Sequence, residues 1–273
     1  MRVAGLFLYP VKSLRGYAVP MAEIDALGLA GDRRFLVIDA DGQMLTQRGV
    51  TRMALVNTAL AHGTLTLSAE GAGQIAVSAA PDPVAPLHGV TVWKSPVLQA
   101  EDCGTAVAAW LSDVLQQKCR LVRIGEKFHR PVLKKAGHPG DAFSFADGSP
   151  VLVASEASLD LLNDRIVANG GEPVPMDRFR PNLVLSGCAA FAEDTFPGLR
   201  IGDITLRAAG KSDRCIMTTT DQRTGVRGKE PLRTLATFRR DPALDPTAVW
   251  FGANFINESK RGTIRVGDEA VAT

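Results

Sequence analysis

No two cysteines of this 273-residue chain stand close enough to make a C-x-x-C pair. Cys103, Cys119, Cys188 and Cys215 are widely spaced, which excludes a zinc ribbon, a thioredoxin motif and an iron–sulfur binding run. A disulfide framework is not expected either, because a chain of this size can draw its stability from burial. There is no G-x-x-x-x-G-K-[ST] and no G-x-G-x-x-G, so a P-loop and a dinucleotide fingerprint are both missing. Excess charge is missing too. The 31 Lys and Arg stand against 29 Asp and Glu, which gives no reason to expect nucleic acid or an anionic membrane as a partner. No run reaches the roughly 18 apolar residues that a membrane helix needs. The opening "MRVAGLFLYPVKSLRG" has too short an apolar stretch for a secretory signal, and no small-residue cleavage site. The location expected on this reading is the cytoplasm.

What the sequence does have is short strand-like runs with turn punctuation. "RVAGLFLYPV" is an apolar run broken by Pro10, "RRFLVIDADGQML" reads as two strands about the Asp41-Gly42 turn, and "GTLTLSAE" alternates with period two. Two helices stand out. From Asp102 as N-cap, Val107, Trp110, Leu111, Val114 and Leu115 share one face. From Ser155 as N-cap, "SEASLDLLNDRIVANGG" puts Leu159, Leu162 and Ile166 on one face and stops at Gly170-Gly171. Residues 122–150 between them, rich in turn formers and charge, read as a surface loop. Beyond residue 180 strands return, with "KEPLRTLATFRR" the one helical stretch. The pattern predicts an α+β fold with barrel-like β content.

The chemistry centres on "KSDRCIMTTTDQRTG", residues 211–225. Cys215 in this setting is a buried inert thiol, a nucleophile or a metal ligand. Lys211 and Arg214 beside it favour the thiolate, which is the form that attacks and that binds soft metals. A cysteine hydrolase needs a positioned histidine, and His62, His88, His129 and His138 all lie far away in sequence. Residues 207–240 hold nine Lys or Arg against three acids, and residues 120–138 hold six against Glu126. Such density marks a solvated face or an anion site. Lys12, Ser13 and Arg15 follow the first strand directly, where loops carry ligand contacts. Arg178 and Arg180 straddle Phe179, and one is expected at the surface with the other toward a ligand.

Several segments agree on one family. "LYPVKSLRG" and "GDRRFLVID" are similar to the N-terminal β-barrel domain that accompanies MOSC domains. "SEASLDLLN", "RFRPNLVLSG", "EDTF", "RIGDITL", "RCIMTTTDQRTG", "KEPLRTL" and "GTIRVGD" resemble the MOSC domain itself, in order. The resemblance implies a β-barrel-like domain over residues 1–95 packed on a MOSC β-barrel with flanking helices over residues 96–273. Within that family the likeness is to molybdenum-cofactor reductases, the mitochondrial amidoxime-reducing components and bacterial relatives that detoxify hydroxylaminopurines. It implies that Cys215 ligates molybdenum. Lys12, Ser13, Arg33, Ser155 and Arg180 would hold the molybdopterin, Asp213 and Arg214 would line the same site, and Asn254 in "WFGANF" would join them.

Two departures bear on function. Relatives often have serine where this chain has Asp213, a carboxylate that could supply a proton. The four clustered cysteines of a ferredoxin domain, which some bacterial relatives carry, are absent. Electrons are therefore expected from a separate flavoprotein or iron–sulfur protein, with the basic segments 120–138 and 223–240 as its docking surface. The expected activity is reduction of N–O bonds in small N-hydroxylated bases or amidoximes, with no nucleic-acid or membrane partner. Two alternatives stay open: a non-catalytic molybdenum-cofactor carrier or sulfuration module, and a metal-free thiol hydrolase.

Overall fold

The computed structural model describes residues 1–133 and 135–273; Lys134, counted in the basic segment above, lies outside the described residues. An eight-stranded sheet runs in the order Ala270–Ala272, Gly198–Ile201, Ile204–Asp213, Trp250–Asn257, Val151–Ser155, Leu183–Ser186, Arg2–Leu8 and Tyr17–Val19. All neighbours are antiparallel except Val151–Ser155 and Leu183–Ser186. That parallel pair needs a crossover, and the second of the three α-helices among the described residues supplies it: α1 (Thr105–Leu115), α2 (Glu156–Ala168) and α3 (Leu232–Leu235).

One face of the sheet buries Leu6, Val153, Leu183, Leu206 and Phe255 in a common core. The other packs Phe251 against Leu162 and Ile166 of α2 and against Phe179 and Leu235. Every residue of Trp250–Asn257 is consequently buried, as a central strand covered on both faces should be. The structure is of the mixed α+β class expected, with strands predominating.

A four-stranded sheet in the order Phe35–Ile38, Arg120–Arg123, Leu98–Asp102 and Leu87–Val90 packs against α1 through Val37, Leu111 and Leu121. The division expected after residue 95 falls inside this sheet, between the paired strands Leu87–Val90 and Leu98–Asp102. A three-stranded sheet pairs Gly262–Arg265 with Met21–Asp25, tying a late segment to an early one. The remaining three-stranded sheet is a meander over Asn57–Ala61, Thr64–Ala69 and Gly73–Ser78.

Ser155 caps α2 as expected, its hydroxyl accepting the Ser158 N–H at 3.2 Å. Asp102 does not cap α1. It ends a strand, and its buried carboxylate takes Arg120 and His88, the latter at 2.8 Å, so the helix begins at Thr105 after Gly104 with no side-chain cap. Residues 124–149 contain no named helix or strand among the described residues, and they are a surface loop only in part: Glu126, Lys127, His129 and His138 are exposed, whereas most of residues 141–149 are buried. Phe143, Phe145 and Arg130 are buried, and Arg130 donates to the carbonyls of Ser144 and Ala146 at 2.7 and 2.6 Å. Lys12, in the turn that follows the first strand, bonds to the Phe145 carbonyl and the Asp147 carboxylate and so holds this stretch against that turn.

Candidate active site

A cavity of about 430 Å³ opens where that turn, the Phe145–Ser149 stretch, the residues before Leu183–Ser186 and the end of Ile204–Asp213 converge. Eight of the nine residues singled out from the sequence line it: Lys12, Ser13, Arg33, Arg180, Asp213, Arg214, Cys215 and Asn254.

Lys12 follows Pro10, where the chain leaves the first sheet and its N–H bonds to the Phe35 carbonyl at 2.9 Å. Its Nζ donates to the Phe145 carbonyl at 2.8 Å and to the Asp147 carboxylate. Burial lowers the Lys12 ammonium to about 8, against the opposing pull of Asp147. Arg33 donates to Asp32 at 2.6 Å, to Asn182 at 3.1 Å and to the Arg180 carbonyl at 3.1 Å. The guanidiniums of Arg33 and Arg180 each lie 4.3 Å from the centroid of the Tyr9 ring. Burial raises the Tyr9 phenol above its ordinary range, so the ring stays neutral and compensates neither cation. Burial and the neighbouring Arg33 push Arg180 down to about 10.

Cys215 sits at the start of a single 3-10 turn, Ile216–Thr219, directly after the strand Ile204–Asp213, and is partly exposed. Asp213 is exposed at the mouth. Arg214 turns inward, donating to the Ser212 hydroxyl at 2.9 Å and the Phe179 carbonyl at 2.8 Å. Asn254, on the central strand, donates to the Lys211 carbonyl at 3.2 Å. Lys211 itself is outside the lining and pairs with Asp241 at 3.4 Å.

Ser155 is the residue that the structure leaves out of the cavity. It is fully buried, and beyond capping α2 it donates to Glu193 at 3.1 Å, while Ser158 donates to the same carboxylate at 2.7 Å. The anion at this helix N-terminus is the protein's own glutamate. The sequence reading of Arg178 and Arg180 also changes, because both line the cavity, Arg178 pairing with Asp221 at 2.8 Å.

Arg48, Trp93 and Asp147 also line the cavity and carry no sequence signal that sets them apart. The wall thus holds six cations (Lys12, Arg33, Arg48, Arg178, Arg180 and Arg214) and two carboxylates (Asp147 and Asp213). Arg48 Nη1, Arg178 Nε, Arg180 Nη2 and Arg214 Nε are buried there without a hydrogen-bond partner among the described residues. Four of the seven non-glycine residues at positive φ among the described residues also belong to this wall: Ser13, Arg33, Trp93 and Arg180. Left-handed backbone at bulky residues stores strain, and such strain persists where the surroundings fix a functional shape.

Residues 1–118 match the MOSC N-terminal beta barrel domain, and residues 140–271 match the MOSC domain. Mitochondrial amidoxime-reducing component 1 of Mus musculus is 39% identical over 97% of this chain and 80% of its own length. The human component 1 is 39% identical over 97% of this chain and 81% of its own. The chain belongs to the MOSC-domain family. Mitochondrial amidoxime reducing component 2 of Rattus norvegicus is 36% identical, again over 97% of this chain and 81% of its own length. The cytoplasmic location expected from the sequence does not stand, because these MOSC relatives are named as mitochondrial components. No described helix is long and apolar enough to cross a membrane.

Proposed function

We propose that this MOSC protein reduces N–O bonds in small N-hydroxylated compounds, amidoximes and hydroxylaminopurines among them. In this reading molybdenum–molybdopterin is bound in the cavity and electrons come from a separate protein. The observation that carries it is one partly exposed thiol, Cys215, among buried guanidinium N–H groups that have no partner. Unpartnered buried donors are costly, and a ligand with several anionic oxygens removes that cost. A single thiol suits a metal whose other sulfurs come from the cofactor. The names of the relatives give the reaction class. A thiol hydrolase fits less well, since no histidine lines the cavity among the described residues.

Cys215 would be the protein's thiolate ligand. Lys12, Arg33, Arg180 and Arg214, with the Ser13 hydroxyl, would hold the phosphate and dithiolene charge, and Asn254 would help to fix its position. Bound molybdenum supplies a two-electron reductant. Two electrons and two protons convert N–OH to N–H and water, and Asp213 at the mouth would hand a proton to the departing oxygen. The three arginines of the expected basic docking segment 120–138 are committed elsewhere: Arg120 pairs with Asp102, Arg123 pairs with Glu101, and Arg130 is buried on backbone carbonyls.

Protein made in a host that synthesises the cofactor tests the reading. The wild type should contain molybdenum and reduce benzamidoxime with a reduced viologen, and Cys215→Ser should lose both metal and activity while staying folded. Molybdenum kept at the wild-type ratio in that variant overturns the assignment, and full loading without turnover points to a cofactor carrier. NADH alone should drive no turnover, because the chain has neither a dinucleotide fingerprint nor clustered cysteines. Measured NADH consumption by the pure protein would refute the two-protein scheme.

A further inference from the structure

Trp93 lies on the cavity wall, and nothing in the cofactor-directed set explains it. It belongs to the short loop between the paired strands Leu87–Val90 and Leu98–Asp102. Its backbone takes φ +56, a conformation a large side chain rarely adopts. The loop is closed by bonds between Val92 and Ser95 at 3.1 Å. The indole N–H donates to Asp147 at 2.7 Å, and the Arg48 guanidinium lies 4.1 Å from the ring centroid. These contacts fix the ring, with the guanidinium over one face, and leave the residue partly exposed. Trp93 is 42% exposed, whereas Phe179, the other aromatic residue in the lining, is 1% exposed and stacked on Phe251.

Most of the other residues of the described wall carry charged or polar side chains, with Leu152 and Met217 among the few apolar ones. A pinned, partly bare π surface in such a wall favours a flat conjugated partner, since ring stacking needs no particular hydrogen-bond pattern. An indole polarised by a stacked guanidinium and a hydrogen-bonded N–H is also held in one orientation, so little conformational entropy is lost when a ring settles on it. We infer that Trp93 is a specificity-determining residue of the site. It stacks on the planar part of the substrate and selects aromatic amidoximes and N-hydroxylated purines over saturated hydroxylamines. This inference rests on the reductase reading above.

Two measurements separate its failure from the failure of that reading. In the first, molybdenum-loaded wild type and Trp93→Leu are compared on benzamidoxime and on N-cyclohexylhydroxylamine, with reduced viologen as donor. The preference for benzamidoxime, as the ratio of kcat/KM values, should fall about tenfold in the variant, the usual scale of one lost stacking contact. The fall should come from KM, molybdenum content should be unchanged, and Trp93→Phe should restore most of the preference. An unchanged ratio, or a loss of bound molybdenum, overturns the inference. In the second, adenine, which carries no N–O bond, is titrated while tryptophan fluorescence is followed. Quenching is expected in wild type and not in Trp93→Phe, Trp110 and Trp250 giving the constant background. Quenching that is lost in the variant supports the platform even if no reductase activity is found. Equal quenching in both proteins refutes it.

Discussion

Arg123 and Arg180 are buried almost equally, 5% and 8% exposed, yet they are buried for opposite reasons. Arg123, in the four-stranded sheet, donates to the Glu101 carboxylate at 3.0 Å and the Ser78 carbonyl at 3.0 Å. Arg180, at the cavity, faces a neutral ring and another guanidinium, and its Nη2 has no partner among the described residues. A matched buried cation belongs to the scaffold. An unmatched one is held there by the rest of the fold at some expense of stability, and the compensation comes from a ligand. The contrast says more than the density of Lys and Arg along the chain, because all three arginines of the dense segment 120–138 prove matched.

The two arginines should therefore respond in opposite ways when their surroundings are cut. Glu101→Gln leaves Arg123 with a neutral partner in place of its buried carboxylate and only the half-exposed Asp82 at 3.9 Å as counter-charge, and the expected cost is ~3 kcal/mol of folding free energy by urea unfolding. Molybdenum per folded protein should not change. Arg180→Met should do the reverse. Stability should move by less than about 1 kcal/mol, because the lost contact with Tyr9 is offset by relief of repulsion from Arg33. Cofactor affinity should fall by ~1.5–3 kcal/mol, the scale of a hydrogen bond to a charged group. If Arg180→Met unfolds as readily as Glu101→Gln, the distinction between scaffold and site arginines fails.

The parts of the site that the sequence made legible are those carried by short local patterns. Lys12 and Ser13 follow an apolar run broken by proline, and Cys215 stands in a polar segment. Arg48, Trp93 and Asp147 were not legible, because they reach the cavity only through long-range pairing of separate segments. The left-handed backbone at Ser13, Arg33, Trp93 and Arg180 was equally hidden, since no glycine marks it. Asp102 had the residue type and position of a helix cap, but the forked guanidinium of Arg120 competes better for a carboxylate than a helix end does. Ser155 shows the converse. Its role as a cap was readable, whereas the buried Glu193 that occupies its remaining bonding capacity lies 38 residues away.

The subtlest contrast within the site is between Lys12 and the arginines, and pH resolves it. Burial holds the Lys12 ammonium near 8, with Arg130 and Arg33 adding to the fall and Asp147 opposing it. Its ordinary value is 10.5, so between about 8 and 10.5 the unfolded chain keeps a proton that the folded chain has released. Over that window this group makes folding more favourable as pH rises, which is the reverse of a cation that gains a partner on folding. Anion binding must run the other way, because the neutral amine no longer attracts the ligand. Sulfate is a suitable probe, as it does not titrate in this range. Its affinity for the cofactor-free protein should fall about tenfold between pH 7 and pH 9, one pH unit beyond the Lys12 midpoint. Lys12→Arg keeps its charge throughout, so its sulfate affinity should stay flat over the same interval. A wild type as flat as the variant would mean that Lys12 does not contact the anion, and the positive φ of Ser13 beside it would then be left without a functional reason.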